Sequence, residues 1–181
     1  MRPASLIQLG FLLLLLPLTS QASKKNYPCS GAPGIYRNNP DASPGGFVAA
    51  TAIVDSSVYL DIEASVCERA TVIEGARILG RAEISGRATV RGKVVIQDKA
   101  RVYGEAYIIN PNGTDLLVKD EAKIFGHGFL QGSVVVSGYS EIFGWGKVLD
   151  YAQVLGSSKI CGSGFVRDFD VITDDQTKCV Q

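Results

Sequence analysis

Residues 82–92 read AEISGRATVRG, and this stretch contains two copies of one six-residue pattern. Each copy has a small residue, an aliphatic residue two places later and a glycine two places after that. The aliphatic position, which we call the anchor, recurs every six residues and resumes after one four-residue insertion. The anchors are Val48, Val54, Leu60, Val66, Val72, Ile78, Ile84, Val90, Ile96, Val102 and Ile108, then Val118, Ile124, Leu130, Val136, Ile142, Val148, Val154, Ile160 and Val166.

A period of six predicts short β-strands. Because six is a multiple of two, an anchor and the small residue two places before it point to the same side of a strand. The glycine that follows tolerates a sharp bend before the next strand, and aspartate replaces it in several hexads. These aspartates are Asp98, Asp120, Asp150 and Asp168. An α-helix would instead need apolar residues at a spacing of about 3.6.

Three bends close a triangular coil of 18 residues, so that each strand pairs with its equivalents in the coils above and below. Twenty anchors divided by three give about 6.7 coils. The sequence therefore predicts an all-β fold, a single-stranded triangular parallel β-helix with irregular caps at both ends.

The chain divides into four segments. Residues 1–22 have one arginine, an apolar run and a small residue at the end, which predicts a secretory signal peptide. The apolar run is too short to span a bilayer comfortably, so cleavage is favoured over a permanent membrane anchor. Residues 23–47 are predicted to form an N-terminal wrap or cap, 48–168 the β-helix domain and 169–181 a C-terminal cap. The residues expected to cover the two ends are Ile35, Tyr36 and Phe47, and Phe169, Val171 and Ile172. We therefore expect a secreted, periplasmic or cell-surface protein.

Four cysteines remain after the signal peptide and allow three pairings. Cys67 and Cys161 lie about five coils apart, and a disulfide needs Cα atoms closer than roughly 7 Å. The favoured pairs are Cys29 with Cys67 and Cys161 with Cys179, each of which would hold a terminal segment against one end of the helix. Four free thiols are the alternative.

Hexads such as Ala82-Glu83-Ile84-Ser85-Gly86 resemble those of the left-handed β-helix, hexapeptide-repeat superfamily. That superfamily includes acyltransferases, γ-class carbonic anhydrases and repeat proteins of unknown role. The acyltransferase hexad places glycine or aspartate directly after the anchor, whereas this chain places it one residue later. The variant is similar to repeats of poorly characterised bacterial β-helices. The resemblance implies a left-handed helix, and a right-handed, bactofilin-like helix fits the same period.

Equivalent outward residues recur every three hexads and form vertical columns on the surface. The aromatic column comprises Cys67, Ser85, Tyr103, Phe125, Phe143 and Cys161. Its rings either stack on one another and stabilise adjacent coils or form an exposed stripe that docks a protein or a carbohydrate. The charged column beside it comprises Glu83, Arg101, Lys123, Glu141 and Lys159, and predicts a ladder of surface salt bridges.

A second apolar feature is the aliphatic face of Val95, Leu117 and Val135. Aliphatic side chains in a row on one face are expected to be buried in a homo-oligomer or under the leader or tail. Homotrimer packing is what the resemblance implies.

His127 is the single histidine, in a column that reads Arg69, Arg87, Glu105, His127 and Trp145. We call this the histidine column. The resemblance to acyltransferases implies that a corner histidine acts as general base, with Glu105 orienting it. The alternative is a surface histidine between Gly126 and Gly128. Zinc-dependent carbonic anhydrase chemistry needs three histidine ligands and is excluded, and we expect no metal and no cofactor.

Charge and motifs narrow the remaining classes of partner. The chain has 18 basic and 18 acidic residues, so nucleic acid is not an expected partner. Asn112 begins an Asn-Gly-Thr sequon, which is a glycosylation site if the source is a eukaryote.

The leading hypothesis is an exported, non-enzymatic binding or structural module that uses Tyr103, Phe125, Phe143 and Trp145 and the aliphatic face. The alternatives are an acyltransferase-like enzyme with His127 as base and a polymerising cell-envelope component.

Overall fold

The computed structural model describes residues 28–111, 114–173 and 175–180, and the chain forms a parallel β-solenoid of about seven coils there. The predicted signal peptide and Asn112 lie outside the described residues. After a short 3-10 turn at Pro28–Gly31, the strands are β1 (Gly34–Asn38), β2 (Pro44–Ala49), β3 (Ile53–Val54), β4 (Tyr59–Leu60), β5 (Ser65–Val66), β6 (Thr71–Ile73), β7 (Arg77–Ile78), β8 (Glu83–Ile84), β9 (Thr89–Gly92), β10 (Val94–Ile96), β11 (Arg101–Val102), β12 (Tyr107–Asn110), β13 (Leu116–Val118), β14 (Lys123–Ile124), β15 (Phe129–Gly132), β16 (Val135–Val136), β17 (Glu141–Ile142), β18 (Lys147–Asp150), β19 (Gln153–Val154), β20 (Lys159–Gly162), β21 (Phe165–Val166), β22 (Val171–Ile172) and β23 (Thr177–Val180).

The strands form three sheets, one on each side of a triangle. Sheet A has the order β1-β2-β5-β8-β11-β14-β17-β20-β23, sheet B runs β3-β6-β9-β12-β15-β18-β21, and sheet C runs β4-β7-β10-β13-β16-β19-β22. Every third strand therefore lies in the same sheet. Ile84, for example, pairs with Val66 on one side and Val102 on the other. The predicted triangular parallel fold is confirmed.

The anchors point into the solenoid. Those from Leu60 to Val166 are fully buried, and Val48 and Val54 of the first coil are partly buried against them. Small residues such as Ala82 and Ala88 are also fully buried, where two sheets converge at a corner. The large and small positions of the hexad thus fill the interior as the sequence predicts.

The corners need left-handed backbone, and aspartate supplies it where glycine is absent. Gly86 has φ 71°, while Asp98 and Asp120 have φ 63° and 62°. Each aspartate also ties two coils together through its carboxylate. The Asp98 carboxylate accepts a hydrogen bond from the N–H of Asp120 at 3.1 Å, and that of Asp120 accepts one from Gly138 at 2.9 Å. Aspartate is suited to this place because it tolerates positive φ and satisfies a backbone donor.

The strands on either side of the four-residue insertion, β12 and β13, belong to sheets B and C. Asn110 is fully buried there, and its side-chain amide donates to the carbonyls of Lys93 at 3.0 Å and Thr114 at 2.6 Å. These hydrogen bonds link Asn110 to both neighbouring segments, and Val118 still pairs with Ile96, so the register of the core continues.

The first end of the solenoid is covered by a hairpin. Strand β1 pairs antiparallel with β2, and Tyr36 packs edge-to-face on Phe47 with ring centroids 5.4 Å apart. Phe47 is buried, whereas Ile35 and Tyr36 are exposed. Strand β2 also pairs with β5 in parallel, so the solenoid begins before residue 48.

At the other end the parallel sheets continue past residue 168, the boundary expected from the sequence. Strand β22 pairs with β19 and β23 pairs with β20, both in parallel. Ile172 is only 4% exposed and extends the core, while Phe169 and Val171 are exposed. The segment expected to be an irregular cap is therefore largely a further part of the coil.

Both favoured disulfides are present. Cys29 is bonded to Cys67 with Cα atoms 5.2 Å apart, and Cys161 to Cys179 with Cα atoms 4.4 Å apart. Two disulfides are typical of an oxidising, extracellular environment. In the part of the chain that the structure describes, no helix has the length and apolar character needed to cross a bilayer.

Candidate binding surface

The aromatic column lies on sheet A next to the corner with sheet B, and its rings are stacked. Tyr103 and Phe125 have centroids 5.0 Å apart and planes 2° apart, and Phe125 and Phe143 are 4.9 Å and 5° apart. All three rings are half-buried. Each ring covers a face of its neighbour, so the column presents mainly ring edges to solvent. The geometry agrees with the ladder interpretation for these three residues.

The histidine column runs along the corner itself. His127 stacks on Trp145 with centroids 4.1 Å apart and planes 12° apart. On its other side, Nε2 of His127 lies 3.0 Å from Oε2 of Glu105, and Nη1 of Arg87 lies 3.8 Å from Oε1 of the same carboxylate. The structure thus brings Glu105 and His127 together, as predicted, and also stacks His127 on the indole ring of Trp145. Trp145 remains 61% exposed.

A third column with stacked rings flanks the corner on sheet B. Tyr107 and Phe129 have centroids 5.8 Å apart and planes 1° apart. Neither residue was among those predicted for a binding surface, although their spacing of 22 residues equals that of Tyr103 and Phe125 across the insertion. That shared spacing was the one signal that could have found them. We call the rings of the three columns together the ring corner, which comprises Tyr103, Phe125, Phe143, His127, Trp145, Tyr107 and Phe129.

The charged column forms salt bridges beside the rings. The Glu141 carboxylate lies between two lysines, with one oxygen 3.2 Å from Nζ of Lys123 and the other 3.2 Å from Nζ of Lys159. Partial burial raises the pKa of Glu141, but hydrogen bonds and positive charge from the two lysines outweigh it and hold the pKa below its usual value. These contacts link three successive coils beside the ring corner.

The surroundings of His127 are open. Its side chain is 44% exposed and lies on a convex corner between Gly126 and Gly128. A shallow groove lies at a different corner, between sheets C and A, where it is lined by Asp98, Lys99, Asp120, Glu121, Gly138 and Tyr139. Within the described ranges, no cluster of three histidine, cysteine, aspartate or glutamate side chains is placed to hold a metal ion. This shallow groove does not adjoin His127 and Glu105.

The aliphatic face lies on sheet C. Val95, Leu117 and Val135 occupy neighbouring positions in three successive strands. Val95 is only 8% exposed and the other two are half-buried. A role of this face in an oligomer stays a prediction.

Comparisons with known proteins add no relative. No protein-family model matches the chain, and no match is found among the curated proteins or the solved structures.

Proposed function

We propose that this protein is an exported, non-enzymatic β-solenoid that acts as a rigid module and binds an extracellular partner through the ring corner. One observation carries the proposal. Rings from three neighbouring columns converge at a single corner, and the one at its crest, Trp145, is 61% exposed. A contiguous exposed apolar patch rimmed by polar residues is a common feature of interaction sites.

Stacking between coils explains only part of the ring corner. Phe125 has a ring on each face, so its burial accounts for its presence. Trp145 stacks on His127 through one face, and the next residue in its column is Ser163, which has no ring. A large aromatic side chain exposed in this way favours binding over a purely structural role for that position.

Export is the second part of the proposal. The signal-like residues 1–22 and the two disulfides support a secreted, periplasmic or cell-surface location. The hexads support membership of the left-handed hexapeptide-repeat superfamily, in the variant that places glycine one residue later. A homo-oligomer formed through Val95, Leu117 and Val135 remains part of the proposal.

An acyltransferase-like enzyme is the second candidate, favoured by the 3.0 Å contact between His127 and Glu105. In that function His127 accepts the proton of an acceptor hydroxyl or amine, and Glu105 orients the imidazole. A His127→Ala variant that folds normally and loses a measurable acyl transfer would favour this candidate over the first.

The proposed function is tested by retention on the surface of source cells. The variant Trp145→Ser/Tyr107→Thr/Phe129→Thr removes three rings of the ring corner, and Tyr139→Ser/Tyr151→Ser removes exposed rings at the other corners as a control. Circular dichroism checks that both variants fold. We expect the purified wild type and the control to bind the cell-surface fraction and the ring-corner variant to lose most of this binding. Equal retention of all three proteins would refute the proposal.

A further inference from the structure

The free face of Trp145 is the most specific feature of the ring corner, and its assignment to a ligand rests on the proposed function. The indole has one face against His127. Its other face points toward the next coil, whose backbone passes directly beside it, since the N–H of Trp145 donates to the carbonyl of Gly162 at 2.8 Å. The residue in register with Trp145 there is Ser163.

The backbone below this face is kept bare by packing. Gly162 has φ 59°, which the corner requires, and a Cβ on Gly164 would lie 2.9 Å from the carbonyl oxygen of Cys161. Larger residues are therefore disfavoured on both sides of Ser163. The result is a ledge, which we call the Trp145 ledge, with an indole wall and a floor formed by Gly162 and Ser163, whereas Gly164 is buried.

The height of the ledge suits one ring. Neighbouring coils are about 4.8 Å apart, and stacked rings in this protein lie 4.1 to 5.8 Å apart. A ligand ring above Ser163 would occupy the position that the next aromatic side chain of the histidine column would otherwise fill. It would meet the indole through a whole face, as His127 does on the other side.

Polar groups surround the ledge. Ser163 donates from its hydroxyl to the carbonyl of Val180 at 3.3 Å, which leaves the hydroxyl oxygen able to accept a hydrogen bond. Lys147 is exposed on the sheet B side, and Phe165, also exposed, is paired with it in the next coil. A ligand with an apolar face and a polar edge is therefore matched to this place.

We propose that the Trp145 ledge binds a hexopyranose unit of an extracellular polysaccharide. The C–H groups on one face of a pyranose carry slight positive charge and pack against the electron-rich face of an indole. The hydroxyls at the ring edge stay in water or reach Ser163 and Lys147. A protein partner fits less well, because a stable protein interface needs about 800 Å² on each side around a buried pocket, and the ledge is one ring wide on a convex corner.

Fluorescence can test this directly, because Trp145 is the single tryptophan of the chain. The mature protein is titrated with hexaoses of glucose, galactose, mannose and N-acetylglucosamine. We expect a saturable change in tryptophan emission with at least one of them at concentrations up to about 10 mM. The variant Ser163→Tyr supplies a ring of the protein's own against the indole and should weaken binding roughly tenfold or more.

The matched control is Ser157→Tyr, which makes the same change next to Tyr139 at the corner between sheets C and A. Its affinity for the saccharide should equal that of the wild type. No response of the wild type to any saccharide, or equal affinity of the two tyrosine variants, would overturn the assignment. If the ring-corner variant loses cell-surface retention while saccharides give no response, the binding surface stands and its partner is not a sugar.

Discussion

Cys161 and Cys179 occupy paired positions on neighbouring parallel strands, and the disulfide between them holds the last strand of sheet A in place. Among the strands that the structure describes, β23 pairs only with β20, so each of its residues has a strand neighbour on one side alone. A short edge strand of this kind would open readily without a covalent link. The bridge therefore completes the solenoid at an end where the hexad pattern is weakest.

Removing this bridge should release β23 without unfolding the rest. For Cys161→Ser/Cys179→Ser we expect a loss of up to about 3 kcal/mol in local stability. The two cysteines are 18 residues apart, and closing a loop of about 15 residues contributes about that much. Hydrogen exchange of residues 175–180 measures it, and should accelerate strongly. In the control Cys29→Ser/Cys67→Ser, exchange of the same residues should not change. Unchanged exchange in the first variant would contradict the role given to the bridge.

Phe125 should contribute more to stability than an exposed ring. It stacks on Tyr103 and on Phe143, so Phe125→Ala removes packing in two directions and should lower the free energy of unfolding by about 1 to 3 kcal/mol. Urea denaturation measures the loss. Tyr139→Ala, at an exposed corner, should change it by less than about 0.5 kcal/mol. A similar cost for both variants would argue that the column is not a stabilising ladder.

The fold was predictable because the residues of each hexad indicate the strand, the core position and the corner together. The anchor at Ile84 sets the inward face, and Asp98 takes the backbone conformation of a glycine, so strand, core and corner are all visible in one period. The C-terminal boundary was not predictable in the same way. Ile172 lies six residues after Val166 and continues the anchor spacing, so this hexad was visible in the sequence. Lys178 occupies the following anchor position, and a lysine there gives no sign of a strand that pairs with β20 and is held by a disulfide.

The binding surface was predictable only as a set of columns. Register places His127 beside Trp145, but the sequence does not give the tilt of the rings or the share of each face that a neighbour covers. Those two properties separate Phe125, which is enclosed, from Trp145, which keeps a free face. From the sequence alone both residues are equivalent candidates for binding, because side-chain orientation depends on packing and not on spacing.

Acid should remove the stabilisation that Glu141 provides. Its pKa is lower in the folded protein than in the unfolded chain, so its contribution is present above the unfolded value of about 4.3 and is lost as the pH falls through the lower folded value. At pH 7, Glu141→Gln should cost about 1 kcal/mol. The difference from the wild type should shrink toward zero in strong acid.

Denaturation curves at several pH values check the Glu141 prediction. The exposed Glu68 supplies the control, and Glu68→Gln should change stability little at any pH. A Glu141→Gln cost that stays constant from pH 7 to strong acid would mean that lost packing, and not the charge between Lys123 and Lys159, causes it.

Alanine substitutions at two glycines with the same backbone conformation can distinguish the cost of backbone strain from the cost of a clash with the next coil. Gly75 has φ 75° and Gly86 has φ 71°, so alanine at either position is forced into left-handed backbone. That strain should cost about 1 to 2 kcal/mol in each case. A Cβ at Gly75 meets nothing within 4 Å, whereas at Gly86 it would lie 2.6 Å from the backbone nitrogen of Gly104 in the next coil. Because a backbone atom cannot move aside unless the two coils move apart, Gly86→Ala should be the more destabilising variant by at least about a further 1 kcal/mol.

Chemical denaturation of the Gly75→Ala and Gly86→Ala variants measures the difference. Equal costs would show that the coils separate freely at this corner, which would be incompatible with the tight stacking that holds the ring columns in register.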